Sequence, residues 1–321
     1  MPAIAVSIVN YRTARLVVAA LPALLEDLAG FEHALVVVVD NASGDGDADM
    51  IERAIAANGW SRVRLVRSPV NGGFAAGNNL AAAEIARWEH RPLGIFLHNP
   101  DARVRPGAVP ALAGVLEAEP RAGAVGARLE RPGGEVWSGA FHFPSALGEF
   151  AGASGIGPLA RRFPSTHPLR AARHRADWVT GAAAMIRTEA WEQVGPMDEG
   201  FFLYYEEVDF MRRLRAAGWE VWHCPEATLL HDAGQATKVQ HKSVQSGRMP
   251  AYWFASWLRY FAKAHGPAYA RAAAAARLSG LLLSYPVAAL RGRRRALPAR
   301  YLTDFARFCL FAPLPRVDRD A

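Results

Sequence analysis

Cysteine is nearly absent from this 321-residue chain, with only Cys224 and Cys309 present. Two thiols with no CxxC and no neighbouring Cys/His cluster give neither a disulfide framework nor a structural zinc site, and a reducing compartment suits such a chain. Long apolar runs are also missing. No stretch of eighteen uncharged apolar residues occurs, so a spanning helix is not expected. The nearest approach, Leu278–Leu290, is short, contains Pro286 and follows Arg277. Met1–Val9 lacks a basic segment ahead of a long apolar core and reads as a first β-strand rather than a signal peptide. Neither GxGxxG nor the Walker lysine pattern is present, so no dinucleotide or P-loop fingerprint exists, and there is no internal repeat.

What is present suits a globular protein. Hydrophobic residues make up 51% and charged residues 21%, enough for one large domain or one domain with an appendage. The net charge of +7 is uneven: from Gln245 onward 13 Lys/Arg face 3 Asp/Glu, whereas the first 244 residues carry 24 against 27. The basicity therefore belongs to the tail, and a partner inferred from it belongs there too.

The first 130 residues alternate β-rich runs (Ile4–Val9, Ala34–Val39, Val63–Val66, Gly94–Leu97, Ala124–Ala127) with helical patterns (Ala14–Leu28, Ala75–Arg87, Ala108–Ala118). That alternation predicts an α/β fold with a mostly parallel sheet flanked by helices, with ligands at the carboxyl ends of strands. Arg131-Pro-Gly-Gly134 reads as a hairpin turn, and Gly148–His174, rich in Gly, Pro, Ser and Arg, as a long loop over the site. A strand pair through Thr180-Gly181-Ala182, a helix from Glu189, an acidic helix and a strand at Glu220–Cys224 follow.

Several strand ends carry chemistry. Asp40, closing Val36–Val39, is placed to accept a hydrogen bond from a ribose or base, or else to cap a turn. Asn71-Gly72-Gly73-Phe74, with Gly77, Asn78 and Asn79, is either a backbone cradle at a helix start or a glycine-rich cap. Asn99-Pro100-Asp101 stiffens a turn and aims a carboxylate that can hold Mg²⁺ or Mn²⁺ against a diphosphate, though it is also a common turn sequence. Trp178 and Trp222 read by default as core or pocket walls, and a lone His231 as a structural histidine. Glu206-Glu207-Val208-Asp209 follows the aromatic run Gly200–Tyr205. Such crowded carboxylates either open a helix, with Asp209 paired to Arg212 or Arg213, or form a site with raised pKa values.

In order and spacing these segments resemble glycosyltransferase family 2, a GT-A nucleotide-diphospho-sugar transferase fold, and within it the rhamnosyltransferase-like branch of bacterial surface-polysaccharide synthesis. The matching segments are Val6–Tyr11, Asp40–Ser43, Asn71–Phe74 with Gly77-Asn78, Asn99–Asp101, Thr180-Gly181, Phe202–Asp209 and His231. They span roughly residues 3–240, with a weaker echo in Tyr252–Gly266. The resemblance implies nucleotide contacts by Asn10, Tyr11, Asp40, Asn71, Gly72, Gly73, Asn78 and Asn99. It implies a divalent metal at Asp101 and His231, and donor or acceptor sugar contacts at Trp178, Thr180, Gly181 and Asp209. Glu207, or Glu206, would be the base of a single inverting displacement. Two departures stand out: Asn99 replaces a carboxylate of the DxD motif, and Glu207 replaces the usual aspartate.

The partners so implied are a dTDP-, UDP- or GDP-linked sugar and a glycan or lipid-linked acceptor. The domains expected are 1–244 for the GT-A unit and 245–321 for a helical basic extension. That extension, with Ala251–Phe261, Leu278–Leu290 and Arg291–Arg295, suits either a helical subdomain with a solvated rim or a helix lying on anionic lipid. A cytoplasmic protein, peripheral at the inner face of the cytoplasmic membrane in the second case, is the expectation. No nucleic-acid motif accompanies the basic run. Two other classes compete: a non-catalytic nucleotide-sugar or membrane-binding GT-A protein, and a Rossmann-type oxidoreductase, which lacks its glycine fingerprint.

Overall fold

The computed structural model describes residues 2–231 and 247–315. Its first part alternates β1 (Ile4–Asn10), α1 (Ala14–Asp27), β2 (Ala34–Asp40), α2 (Asp47–Asn58), β3 (Val63–Arg67), α3 (Gly73–Ile85) and β4 (Gly94–His98). Then come β5 (Ala102–Val104), α4 (Ala108–Ala118), β6 (Ala122–Glu130), β7 (Val136–Trp137) and β8 (Ala140–Phe141). Strands β1, β2 and β4 are buried along nearly their whole length, as parallel strands covered on both faces must be. The parallel register sets Asn10 opposite Asp40, so two polar strand ends emerge side by side.

The chain continues through α5 (Ala146–Ser154), α6 (Gly157–Arg162), β9 (His174–Ala176), β10 (Trp178–Val179), β11 (Ala183–Arg187), α7 (Thr188–Val194), α8 (Glu206–Ala216) and β12 (Glu220–His231). The main sheet has the order β3-β2-β1-β4-β11-β6-β12-β5, with β11 antiparallel to both β4 and β6. One face is covered by Val17, Leu21 and Leu24 of α1 with Val109, Leu112 and Leu116 of α4. The other is covered by Ile85 of α3, Trp191 of α7 and Phe210 and Leu214 of α8. The fold is thus α/β in three layers, and the expected strands and helices of the first 130 residues are all present.

A third core lies beyond the sheet. Helices α9 (Ala251–His265), α10 (Pro267–Leu290) and α11 (Tyr301–Phe305), with a π-helical segment Ala306–Phe311, bury Phe254, Trp257, Phe261 and Phe305 together. Phe201 and Val208 belong to the same cluster, so the tail packs on the segment that begins α8. The expected boundary at 244/245 lies outside the described residues.

Three expectations are corrected. Gly148–His174 is not a loop throughout, because it carries most of α5 and all of α6. Ser145 caps α5 by accepting the Gly148 N–H at 3.1 Å. The small residues that suggested a loop let helices approach: a Cβ on Gly280 of α10 would lie 2.6 Å from the Phe150 carbonyl oxygen. Thr180-Gly181-Ala182 is a break rather than a strand pair. It joins β10, which pairs only with β8 in a separate two-stranded sheet, to β11 in the main sheet. Finally, α10 runs through Pro286 for 24 residues and is long and apolar enough to cross a bilayer by length and composition. Proline so near the carboxyl end disturbs only the last turns. Arg271 and Arg277 of α10 are bonded inward, to the Cys309 carbonyl at 2.7 Å and to Glu149 and Tyr301, as in a helix packed on protein.

Candidate active site

The amino-terminal end of the site is built at the tips of β1 and β2. Asn10 donates to Asp40 Oδ1 at 2.7 Å and to Ser43 Oγ at 3.1 Å, while its carbonyl oxygen accepts from Thr13. Both Asn10 and Asp40 are buried. Asn10 therefore orients Asp40 from behind, whereas the neighbouring Tyr11 is 38% exposed. Arg12 has φ of 56°, an uncommon conformation for a long side chain, and its N–H donates to Ser43 Oγ at 2.9 Å.

The glycine loop joins this end to the acidic segment. Asn41 donates to Asn71 Oδ1 at 3.0 Å and to the Gly73 carbonyl at 2.9 Å, and the Phe74 N–H donates to the Phe202 carbonyl at 3.0 Å. Gly73 has φ of 84°, and a Cβ there would overlap the Phe202 carbonyl, so only glycine fits. Gly72 stands just before it, at the start of α3. The amides that follow are turned inward. Asn78 accepts from Ser7 Oγ at 2.7 Å and donates to the Phe74 carbonyl, and Asn79 bonds Met197 and Glu199. Asn78 braces α3 against β1 instead of facing a ligand.

A second cluster forms where β4 ends and β12 finishes. Asp101 is buried, and its Oδ1 lies 3.2 Å from His231 Nε2. That spacing lets one carboxylate oxygen and one imidazole nitrogen ligate a single divalent ion, whose bonds to each are about 2.0–2.2 Å. His231 Nδ1 is buried with no hydrogen-bond partner among the described residues. His98 is buried beside them with both nitrogens unpartnered among the described residues, and burial lowers its pKa to about 4, against the pull of Asp101. Neutral imidazole is the form that binds metal. The backbone N–H of Asn99 donates to the Ala182 carbonyl at 3.1 Å, tying this turn to the β10–β11 break.

The carboxylates themselves open α8. Tyr204 and Tyr205 both adopt left-handed φ, 71° and 70°, immediately before Glu206. Consecutive bulky residues in that region are strained, and strain of this kind gathers at functional sites. Glu206 is buried, and its pKa is raised well above the usual range, first by burial and then by repulsion from Glu207. Glu207 is also raised by burial, opposed by backbone N–H groups that include Gly181. Both Glu206 Oε2 and Glu207 Oε2 are shielded and have no hydrogen-bond partner among the described residues.

Glu207, together with Trp178, Tyr204 and Tyr205, lines a cavity of about 1010 Å³ between the sheet unit and the carboxyl-terminal helices. Trp178 stacks on Phe141 with centroids 4.2 Å apart and donates its indole N–H to the His142 carbonyl. Gly181 lies against Phe74 and the Cβ of Glu207, and Thr180 Oγ1 accepts from the Ala182 N–H.

Asp209 takes the pairing with Arg213 that the helix-start reading offered, Nε lying at 3.2 Å, and adds a second partner. Fully buried, it also bonds Lys263 Nζ at 3.0 Å, so it fastens α8 to α9. Lys263 also bonds Asp198, which Arg259 holds as well. Despite burial, those cations hold the Asp198 carboxyl down at about 2. Sequence reading missed Lys263, His98 and the cavity walls from α5, α10 and α11, since each depends on segments far apart in the chain. It also missed His142, His167 and Asp177, whose ligand-type atoms lie within 4.8 Å of one another. The two rings are stacked at 3.9 Å, and Asp177 is already engaged by Arg215 and the Phe143 N–H.

A twisted sheet with polar groups at its strand tips, a carboxylate–imidazole pair beside them and a buried carboxylate opening a helix over a large cavity define a GT-A glycosyltransferase that uses a nucleotide sugar. The model of Glycosyl transferase family 2 matches residues 5–195, and the chain belongs to that family. It is 31% identical over 229 residues to an N-acetylglucosaminyl-diphospho-decaprenol L-rhamnosyltransferase of Mycobacterium tuberculosis, covering 67% of this chain and 69% of the relative. Two solved structures share the fold. A mannosyltransferase from Pyrobaculum calidifontis in complex with GDP-Man and Mn²⁺ superposes with a TM-score of 0.58 at 17% identity, over 94% of this chain and 78% of that one. GalNAc-T7 with UDP, GalNAc and Mn²⁺ gives 0.53 at 14% identity, over 72% and 44%.

Proposed function

We propose that this enzyme moves a sugar, rhamnose by analogy with the mycobacterial relative, from a dTDP-, UDP- or GDP-linked donor to a hydroxyl of a lipid-linked glycan, with inversion, in cell-surface polysaccharide synthesis. The observation that carries the reading is Glu207: a carboxylate raised by burial, with Oε2 unpartnered among the described residues, at the wall of a large aromatic cavity. A general base must first reach its proton, and Glu207 lines the cavity whereas Glu206 does not.

In this reading Asp40, held by Asn10, receives the ribose or base, with Tyr11 and the Asn71–Gly73 loop beside it. Asp101 and His231, with His98 as a further donor, would hold Mg²⁺ or Mn²⁺. When bound, such an ion neutralises charge on the leaving diphosphate. The acceptor hydroxyl sits against Glu207, which takes its proton while the anomeric carbon is attacked from the face opposite the leaving group. Trp178, Thr180 and Gly181 border the sugars.

The carboxyl-terminal helices are proposed as a basic extension that rests on the inner face of the cytoplasmic membrane, where a lipid-linked acceptor resides. Leu282, Leu283, Tyr285 and Leu290 are exposed on α10, followed by Arg291, Arg293, Arg294 and Arg295. Exposed apolar side chains beside cations suit an anionic lipid surface. Nucleoside diphosphate release from a panel of nucleotide sugars, with Mn²⁺ and with EDTA, tests the catalytic proposal. Thermal stabilisation by NAD(H) and by no nucleoside diphosphate would defeat it.

A further inference from the structure

The cavity that reaches Glu207 holds three arginines of different standing. Arg277 is half-buried and committed: it pairs with Glu149 and donates to Tyr301 Oη at 2.8 Å. Arg162, at the end of α6, and Arg295, in the segment after α10, are exposed and line the same cavity. Neither has an ion-pair partner among the described residues, and no carboxylate other than Glu149 and Glu207 lines the space. The cavity therefore carries two uncompensated guanidiniums toward solvent and one carboxylate at depth.

Its lining is rich in aromatic rings. Trp178, Trp253, Tyr204, Tyr205 and Phe143 all contribute. At about 1010 Å³ the space reaches the top of the range of small-molecule sites, roughly 300–1,000 Å³, larger than one monosaccharide requires. The loop carrying Arg295 begins where the exposed apolar end of α10 stops, at the 89%-exposed Leu290. Leu147 of α5, 61% exposed, stands next to the cavity residue Gly148.

We infer that Arg162 and Arg295 bind the diphosphate of a polyprenyl-diphosphate-linked sugar acceptor, whose sugar lies between the aromatic walls and whose prenyl chain leaves along the exposed end of α10. The inference rests on the transferase reading and adds the recognition element of the acceptor. Guanidinium is the side chain whose planar fork matches phosphate oxygens two at a time. Aromatic faces suit sugar rings, and an apolar strip with adjacent cations suits a chain emerging from lipid. One cavity thus brings together a carboxylate, aromatic rings and two guanidiniums, with an apolar strip ahead of Arg295, the chemistries that suit the hydroxyl, sugar, diphosphate and prenyl chain of such an acceptor. A bare glycan would leave the two arginines and the strip without a use.

The test is a titration in EDTA without lipid, using geranyl diphosphate and geraniol as probes on wild type, the Arg162→Glu/Arg295→Glu double variant and Asp101→Ala. Both arginines are exposed, so the double variant is expected to fold, and its thermal melt checks this. Wild type should bind the diphosphate at least about tenfold tighter than geraniol. The double variant should lose that preference and Asp101→Ala should keep it. Diphosphate binding within about twofold of wild type in the double variant overturns the inference. So does its loss in Asp101→Ala, which would place the probe at the donor end. Anionic vesicles, added as a separate arm, should not restore diphosphate selectivity to the double variant; restoration would assign the arginines to lipid headgroups. None of these readouts needs turnover, so failure of the transferase reading shows separately, in the nucleotide-sugar panel.

Discussion

Lys263 of α9 extends its ammonium to within 3.0 Å of Asp209, in the same first turn of α8 as the two site glutamates, and 2.9 Å from Asp198. A tail helix therefore holds the floor of the carboxylate site. Removing one partner of a buried ion pair leaves an uncompensated charge and costs about 3–5 kcal/mol. Lys263→Met should lower unfolding free energy by roughly that amount in a denaturant titration. It should also reduce transferase activity, because α8 loses its anchor. A change below about 1 kcal/mol, the size of an exposed pair, would mean that the tail and the sheet unit are held together elsewhere.

Gly73 makes a sharper geometric prediction. Its left-handed φ and its contact with the Phe202 carbonyl exclude any Cβ. Gly73→Ala should therefore push the glycine loop off the acidic segment, weakening nucleoside diphosphate binding and lowering stability by about 2 kcal/mol or more. Unchanged binding in a calorimetric titration would show that loop and acidic segment need not touch.

The donor end depends on the pairing of Asp101 with His231. Asp101→Ala should abolish the Mn²⁺-dependent part of nucleoside diphosphate affinity, and His231→Ala should weaken metal affinity by roughly 10–100-fold. Titrations with and without EDTA separate these effects from loss of the nucleotide pocket. Equal affinity in the presence and absence of metal for the wild type would refute the assignment.

Glu206 and Glu207 titrate as a coupled pair, both raised above the usual carboxylate range chiefly by burial. The base must be ionised, so activity should rise with pH through an apparent pKa above 4.5. Glu206→Gln removes the neighbouring charge and should move that acid limb to lower pH. Stability carries the opposite sign. The folded state holds these protons more tightly than the unfolded chain, so the pair's contribution is complete below about pH 4.5 and is lost as pH rises through the raised folded values. Glu206→Gln should thus gain stability relative to wild type as pH rises above about 4.5, as read from melts across pH. A constant difference would show that burial does not perturb the pair.

The legible parts of the sequence were those with local causes. Val36–Val39 and Ile95–Leu97 read as buried parallel strands because continuous β-branched and aliphatic runs have few other uses, and Asp40 and Asp101 followed as strand ends. Residues with long-range causes were not legible. Asp209 looked like any helix-start acid until Lys263, 54 positions on, supplied its partner. Gly148–His174 looked like a loop because Ala151, Gly152 and Ala153 gain their helical meaning only from the close approach of Gly280. Asn78 resembled a ligand residue, but its amide is matched to Ser7 on a strand seventy-one positions earlier.

The most direct test of the account is Glu207→Gln compared with Glu206→Gln, measured as single-turnover sugar transfer and as nucleoside diphosphate affinity with Mn²⁺. Glu207→Gln should slow transfer by about 10²–10⁴-fold with affinity within twofold of wild type, and Glu206→Gln should cost much less. Near-normal transfer by Glu207→Gln would contradict the account and place the base on another side chain.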